Sequence, residues 1–132
     1  MTQSKEIHMK AAIIIFSDPT HGGEDALGRA FNGLAAAYDF KQKQIDVAIY
    51  FQGTGTRWVS HLTKVGHPLY QLYAAVSDVV VGVSCGCADV FGAREEAELN
   101  GFHLVTDNSV PGTSGLPSIA QLSHQGYTVF SF

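Results

Sequence analysis

The chain carries two thiols, Cys85 and Cys87, set two residues apart in the stretch 79–92, VVVGVSCGCADVFG. Cysteine reacts as the thiolate, which attacks sulfur centres and binds soft metals. An apolar run leads into the pair and a helix-forming stretch follows it, so the thiols fall where a strand turns into a helix. A helix start offers unpaired N–H groups and the positive end of the helix dipole, and both favour the thiolate. Gly86 lets the chain bend there and keeps the sulfurs uncrowded. The competing reading is packing, because unpaired cysteine is among the most buried residue types and often fills apolar space. A C-x-C pair is also half a metal site. Structural zinc takes four ligands, and the six histidines, His8, His21, His61, His67, His103 and His124, are scattered, so no metal is expected. A disulfide across one residue closes a small strained ring, labile rather than structural.

Two further loops could hold a ligand. Residues 18–23 (DPTHGG) precede a helical pattern, and the backbone of Thr20, His21, Gly22 and Gly23 could meet an anion at a helix start. His21 could face the thiols and serve as a base, or simply be a solvated loop side chain. Residues 53–56 (GTGT) offer Gly53 and Thr54 for the same purpose, with Arg57 as a source of charge. The dinucleotide fingerprint and the phosphate-binding P-loop are both missing, as is the G-x-S-x-G elbow of hydrolases, and no cofactor is expected. Glu95, Glu96 and Glu98 form a solvated helical face. Arg94 lies seven residues after Cys87. On a continuous helix that is two turns away, beyond direct reach of the thiol unless the long side chain closes the gap. Trp58, the single tryptophan, covers the core or packs on a neighbouring subunit.

The elements that must position these residues follow an alternating pattern. Residues 11–16 (AAIIIF) form a short apolar run suited to a strand buried on both faces. Leu27, Ala30, Phe31, Leu34 and Tyr38 then recur at helical spacing, with Glu24 and Asp25 in the first turn and Gly28 and Gly33 as points of close packing. Strands are expected at 45–51, 78–84, 102–105 and 127–132. Helices are expected around Leu69, Leu72, Tyr73 and Val76, over 88–99 with Asn100-Gly101 as the stop, and over 116–125. Residues 107–115 are a loop. This rhythm gives a parallel sheet with helices on both faces, in one domain over residues 11–132 after a mobile tail at 1–10. Ligands in such sheets bind beyond the carboxyl ends of the strands, where both loops and the thiol turn lie.

The chain has 132 residues, 45% of them hydrophobic and 15% charged, which is a globular composition. Its net charge of −4, with no Lys/Arg cluster, argues against nucleic acid as a partner. No apolar run approaches a membrane span, and residues 1–9 lack the apolar stretch of a secretory signal. A cytoplasmic, thiol-reducing setting is expected.

Four stretches together resemble the DsrE family of small sulfur-relay proteins, which includes the DsrE and TusD subunits. They are AAIIIFSDPTHGG before an Ala-rich helix, IDVAIYFQGTG, VGVSCGCADVFGA, and TSGLPSIAQLSHQGYTVFSF. The resemblance covers nearly all of the chain beyond residue 10. It implies a three-layer α/β/α sandwich with a five-stranded, mainly parallel sheet, flavodoxin-like in general architecture. It also implies homo-oligomers, often trimers or hexamers, that exchange sulfur with donor and acceptor proteins. One cysteine of the relay members accepts a sulfane sulfur as a persulfide. By its position before Gly92, Cys85 best matches that residue, with Cys87 close enough to compete. Relay subunits carry basic residues just before the glycine, where this chain has Val90 and Phe91.

Two functions follow as expectations. One is a sulfur carrier or sulfurtransferase that loads Cys85 and lets Cys87 resolve the persulfide. The other is a non-enzymatic oligomeric module that holds a small anion or nucleotide at residues 18–23 and 52–56, with both cysteines structural.

Overall fold

The computed structural model describes residues 8–132. Of the tail expected over residues 1–10, residues 1–7 lie outside the described part, and Lys10 already belongs to the first strand. Five parallel strands form one sheet: β1 (Lys10–Ile15), β2 (Asp46–Phe51), β3 (Val80–Ser84), β4 (Leu104–Val105) and β5 (Tyr127–Ser131), in the order β4-β3-β2-β1-β5. Its helices are α1 (Gly23–Gln42), α2 (Val59–Leu62), α3 (Tyr70–Val76), α4 (Cys85–Val90), α5 (Arg94–Leu99) and α6 (Ile119–His124), with 3-10 turns at Gly53–Trp58 and Ser77–Val79. Helices lie on both sides of the sheet, giving the three-layer α/β/α sandwich, and the sheet is wholly parallel.

The interior strand β1 shows why this sheet sits inside. Ile13 and Ile15 face one layer and Ala12 and Ile14 the other, and all four are buried. Successive strand side chains point to opposite faces, so a continuous apolar run fits only a strand covered on both sides. The larger core joins Ile13, Ile15, Ile49, Phe51 and Val83 of the sheet to residues of α1, α2, α3 and α5; the smaller one places Leu122 of α6 against Ala12, Ile14, Ala48 and Tyr50. Each large apolar side chain buried in this way contributes about 1.5–3 kcal/mol.

The structure turns α1 differently from the expected face. Ala26, Ala30, Gly33, Leu34 and Ala37 are buried, whereas Phe31 is 51% exposed and Tyr38 40% exposed. Small residues let the helix lie close on the sheet. A side chain at Gly33 would stand 3.2 Å from Phe132 and 3.3 Å from Ile15, while Gly28 faces open space. Trp58 is buried, with its indole N–H donating to Ser17 Oγ at 3.3 Å, so it belongs to the core. Residues 88–99 do not form one helix: α4 ends at Val90 and α5 starts at Arg94, with Gly92 between them at φ +70°. Few residues other than glycine adopt that backbone, and the break redirects the chain beside the thiols.

Candidate functional site

The thiol turn forms where β3 passes into α4 at the carboxyl edge of the sheet. Ser84 caps α4, its hydroxyl accepting from the Cys87 amide at 3.3 Å. This places Cys85 in the first turn, 3% exposed, and leaves Cys87 half-buried. Both are free thiols. With only six residues, α4 supplies little dipole, because the macrodipole is a sum over aligned peptide units.

The charge at Cys85 comes from Arg94 instead. Its Nη1 lies 3.5 Å from Cys85 Sγ and 2.9 Å from Asp89 Oδ1, and its Nε lies 3.6 Å from Glu98 Oε2. The expected separation of Arg94 from the thiol therefore does not hold. After Phe91 donates to the Cys87 carbonyl and Ala93 to the Ala88 carbonyl, the chain doubles back and α5 carries Arg94 over the start of α4. A cation this close favours the thiolate. The hydrogen bond to Asp89 and the charge at Cys85 raise the Arg94 pKa further, so it is cationic at any physiological pH. This guanidinium comes from after Gly92, where relay subunits are expected to place their basic residues before it.

A strap over residues 106–118 closes the other side of α4. Gly86 donates to the Gly115 carbonyl at 2.7 Å, and Ser114 donates to Asp89 Oδ2 at 2.6 Å. Gly86 is there for proximity: a β-carbon at this position would stand 2.9 Å from Leu116 and 3.1 Å from the Gly115 oxygen. The Ser114 hydrogen bond, followed by that from Arg94, holds the Asp89 carboxyl below its ordinary pKa. A cavity of about 390 Å³ opens between Gly86, Asp89 and Val90 on α4 and Gly112, Thr113 and Ser114 on the strap.

The two glycine loops meet, and their own atoms occupy much of the hydrogen-bonding capacity. Thr54 donates to the Phe16 carbonyl at 3.1 Å, and Gly53, at φ +58°, sits against the Phe16 ring. In the first loop the Thr20 amide donates to Asp18 Oδ1 at 2.8 Å and the Gly22 amide to the Asp18 carbonyl at 2.9 Å. A carboxylate of the chain thus stands where an anion would be held. Glu24 and Asp25 add negative charge in the first turn of α1, next to Gly23. Arg57 pairs with Asp18 at 2.9 Å and donates through Nε to the Phe91 carbonyl at 3.2 Å, linking this loop to the end of α4. Burial pushes the Asp18 carboxyl up, but hydrogen bonds from Thr20, Arg57 and His21 outweigh it and hold the group below 3.8. His21 is exposed and bonded to Asp18 at 3.2 Å, with no contact to either thiol.

His61 and His67 are brought together by the fold, their ring centroids 6.0 Å apart and each 6.0 Å from Trp58. No group of three or more potential metal ligands occurs among the described residues. No helix of the described residues is long and apolar enough to cross a membrane.

The family model of the DsrE/DsrF-like proteins matches residues 9–132. The chain belongs to that family. One relative, an uncharacterized protein of Methanocaldococcus jannaschii, is 32% identical over 88 residues, spanning 67% of this chain and 71% of its own length. No solved structure matches the chain. Within this DsrE/DsrF-like frame, sequence reasoning missed Asp89 and Ser114 and set Arg94 aside. The available signal was Gly92, a helix breaker inside a stretch read as one continuous helix.

Proposed function

We propose that this protein is a sulfur carrier that holds sulfane sulfur as a persulfide on Cys85. The observation that carries the reading is the Arg94 guanidinium 3.5 Å from Cys85 Sγ, in a chain of a family that suggests sulfur relay. The Cys85 thiolate attacks the outer sulfur of a donor persulfide R–S–SH. The donor S–S bond breaks, a new S–S bond forms on Cys85, and R–S⁻ leaves. Cys87, two residues on but on a different side of α4, can attack the inner sulfur of the Cys85 persulfide once that first turn opens. That step releases sulfide and leaves a strained Cys85–Cys87 bridge, which a reductant reopens. The donor is a protein or small-molecule persulfide and the acceptor a protein or small-molecule thiol of a thiol-reducing compartment, consistent with two unpaired cysteines.

We further propose self-association. Phe31 and Tyr38, seven residues apart on α1, leave large apolar surface in water, and β5 is an edge strand with Phe130 37% exposed.

The non-enzymatic reading keeps one specific support. A cavity of about 210 Å³ is lined by Thr20, Arg57, Ser60, His61, Phe91 and Glu96, among others, so a small ligand would lie beside Arg57 rather than in the glycine loops alone. Intact-protein mass spectrometry after exposure to a sulfane-sulfur donor separates the two. Added sulfur on the wild type and on Cys87→Ser, and none on Cys85→Ser, supports the carrier. No added sulfur on the wild type or on either variant, with the remaining thiols unmodified, overturns it in favour of the binding module.

A further inference from the structure

Cys85 and Asp89 lie one turn apart on α4, and one guanidinium reaches both. Arg94 Nη1 is 2.9 Å from Asp89 Oδ1 and 3.5 Å from Cys85 Sγ. The other oxygen of Asp89 accepts from Ser114 at 2.6 Å. Ser114 is not a loose surface residue. The strap around it is preformed: Thr113 donates backbone and side-chain hydrogen bonds to the Val110 carbonyl at 3.1 and 2.8 Å, and the Gly115 amide donates to Thr113 Oγ1 at 3.1 Å. The strap is also pinned to the first turn of α4 through Gly86. A continuous chain of contacts therefore runs from strap to carboxylate to guanidinium to sulfur.

We propose that Asp89, oriented by Ser114, is the positioning residue that holds Arg94 against the Cys85 sulfur. The proposal deepens the carrier reading and rests on it for its purpose, though its test does not need sulfur transfer. An arginine side chain has several rotatable bonds, and an exposed ion pair by itself is worth only about 0–1 kcal/mol. Fixing a mobile cation at a sulfur needs a second anchor, and Asp89 with its own hydroxyl donor provides one. Glu98 holds the Nε side from α5 at 3.6 Å. On the opposite flank α4 packs on the turn 53–58, whose charged residue Arg57 is engaged with Asp18 and the Phe91 carbonyl. Arg94 is thus the charged group recorded against the Cys85 sulfur, with Asp89 and Glu98 reaching it through Arg94 and Cys87 the other titratable group on α4.

Asp89 acts on the sulfur in two opposing ways. Its charge disfavours a thiolate, and its grip on Arg94 favours one. Asn keeps an acceptor for Arg94 and removes the charge; Ala removes both. The experiment is ultraviolet titration of thiolate absorbance in full-length Cys87→Ser, with a cysteine-free double variant subtracted, so the buried thiol needs no reagent access. Asp89→Ala should move the titration midpoint up, and Ser114→Ala should move it the same way by less. Asp89→Asn should leave the midpoint unchanged or lower it. A midpoint that stays or falls in Asp89→Ala makes Asp89 a plain surface ion pair and overturns the proposal. Circular dichroism confirms that each variant is folded, and Arg94→Gln sets the full size of the effect. Persulfide loading of the same proteins is read separately: midpoints that move as stated without any loading retain the positioning role and reject the carrier reading.

Discussion

Arg94 and Cys85 are nine residues apart in the chain, and Nη1 of one lies 3.5 Å from Sγ of the other. That contact joins two short helices across the Gly92 break and gives the buried thiol its cationic neighbour. Replacing Arg94 with Gln removes that cation from the sulfur and should weaken nucleophilic attack by Cys85 roughly tenfold. Stopped-flow loading with a sulfane-sulfur donor should slow by a similar factor. Loading as fast as in the wild type would detach the guanidinium from the chemistry.

Gly86→Ala tests the close approach of strap and helix. The new methyl would stand 2.9 Å from Leu116 Cδ1 and 3.1 Å from a backbone oxygen. The Leu116 side chain can move aside; the Gly115 carbonyl cannot without shifting the strap. Denaturant unfolding should show a loss of about 1–3 kcal/mol, the usual cost of overpacking. Stability equal to the wild type would mean that the strap is free to lift from α4.

Acid should weaken the fold through His61 and His67. Burial lowers the pKa of both, with Lys64 adding to the effect at each and His61 adding to it at His67. Their folded values lie below 6.5, so the unfolded chain binds more protons between the folded values and 6.5. The stability from the neutral rings is fully present above pH 6.5 and is lost as the pH falls through that window. Thermal unfolding followed from pH 8 to pH 5 should show a declining midpoint, and the slope should flatten in His61→Asn/His67→Asn.

Self-association through α1 predicts that Phe31→Ser lowers the assembled mass, read by light scattering after size exclusion. Phe31 is 51% exposed, so the substitution should cost the subunit well under about 1 kcal/mol. An unchanged mass moves the interface elsewhere, and a wild type that is already monomeric rejects self-association.

The legible parts of the site were those encoded locally. Cys85 and Cys87 announce themselves by type and spacing, and the apolar run before them places them at a strand end. The Asp89–Ser114 bond and the return of Arg94 to Cys85 join residues 25 and nine positions apart in the chain, and no periodicity reports them. The expected face of α1 holds for Ala30 and Leu34 but not for Phe31 and Tyr38, whose bulk outranks Ala26, Gly33 and Ala37 on hydrophobicity alone. Hydrophobicity alone ranks large residues first, whereas a helix lying close on a sheet needs small ones.

By itself the sequence determined the α/β class, the succession of five strands, the parallel sheet and the family. Strand and helix periodicities are properties of neighbouring residues, and the run Ala11 to Ile15 suits a strand covered on both faces. The tertiary structure alone decided the strand order β4-β3-β2-β1-β5, the burial of Trp58 and the charge beside Cys85. Where the chain goes after Gly92 depends on Ala97 and its neighbours finding the core. The guanidinium reaches the sulfur because that packing brings α5 back over α4.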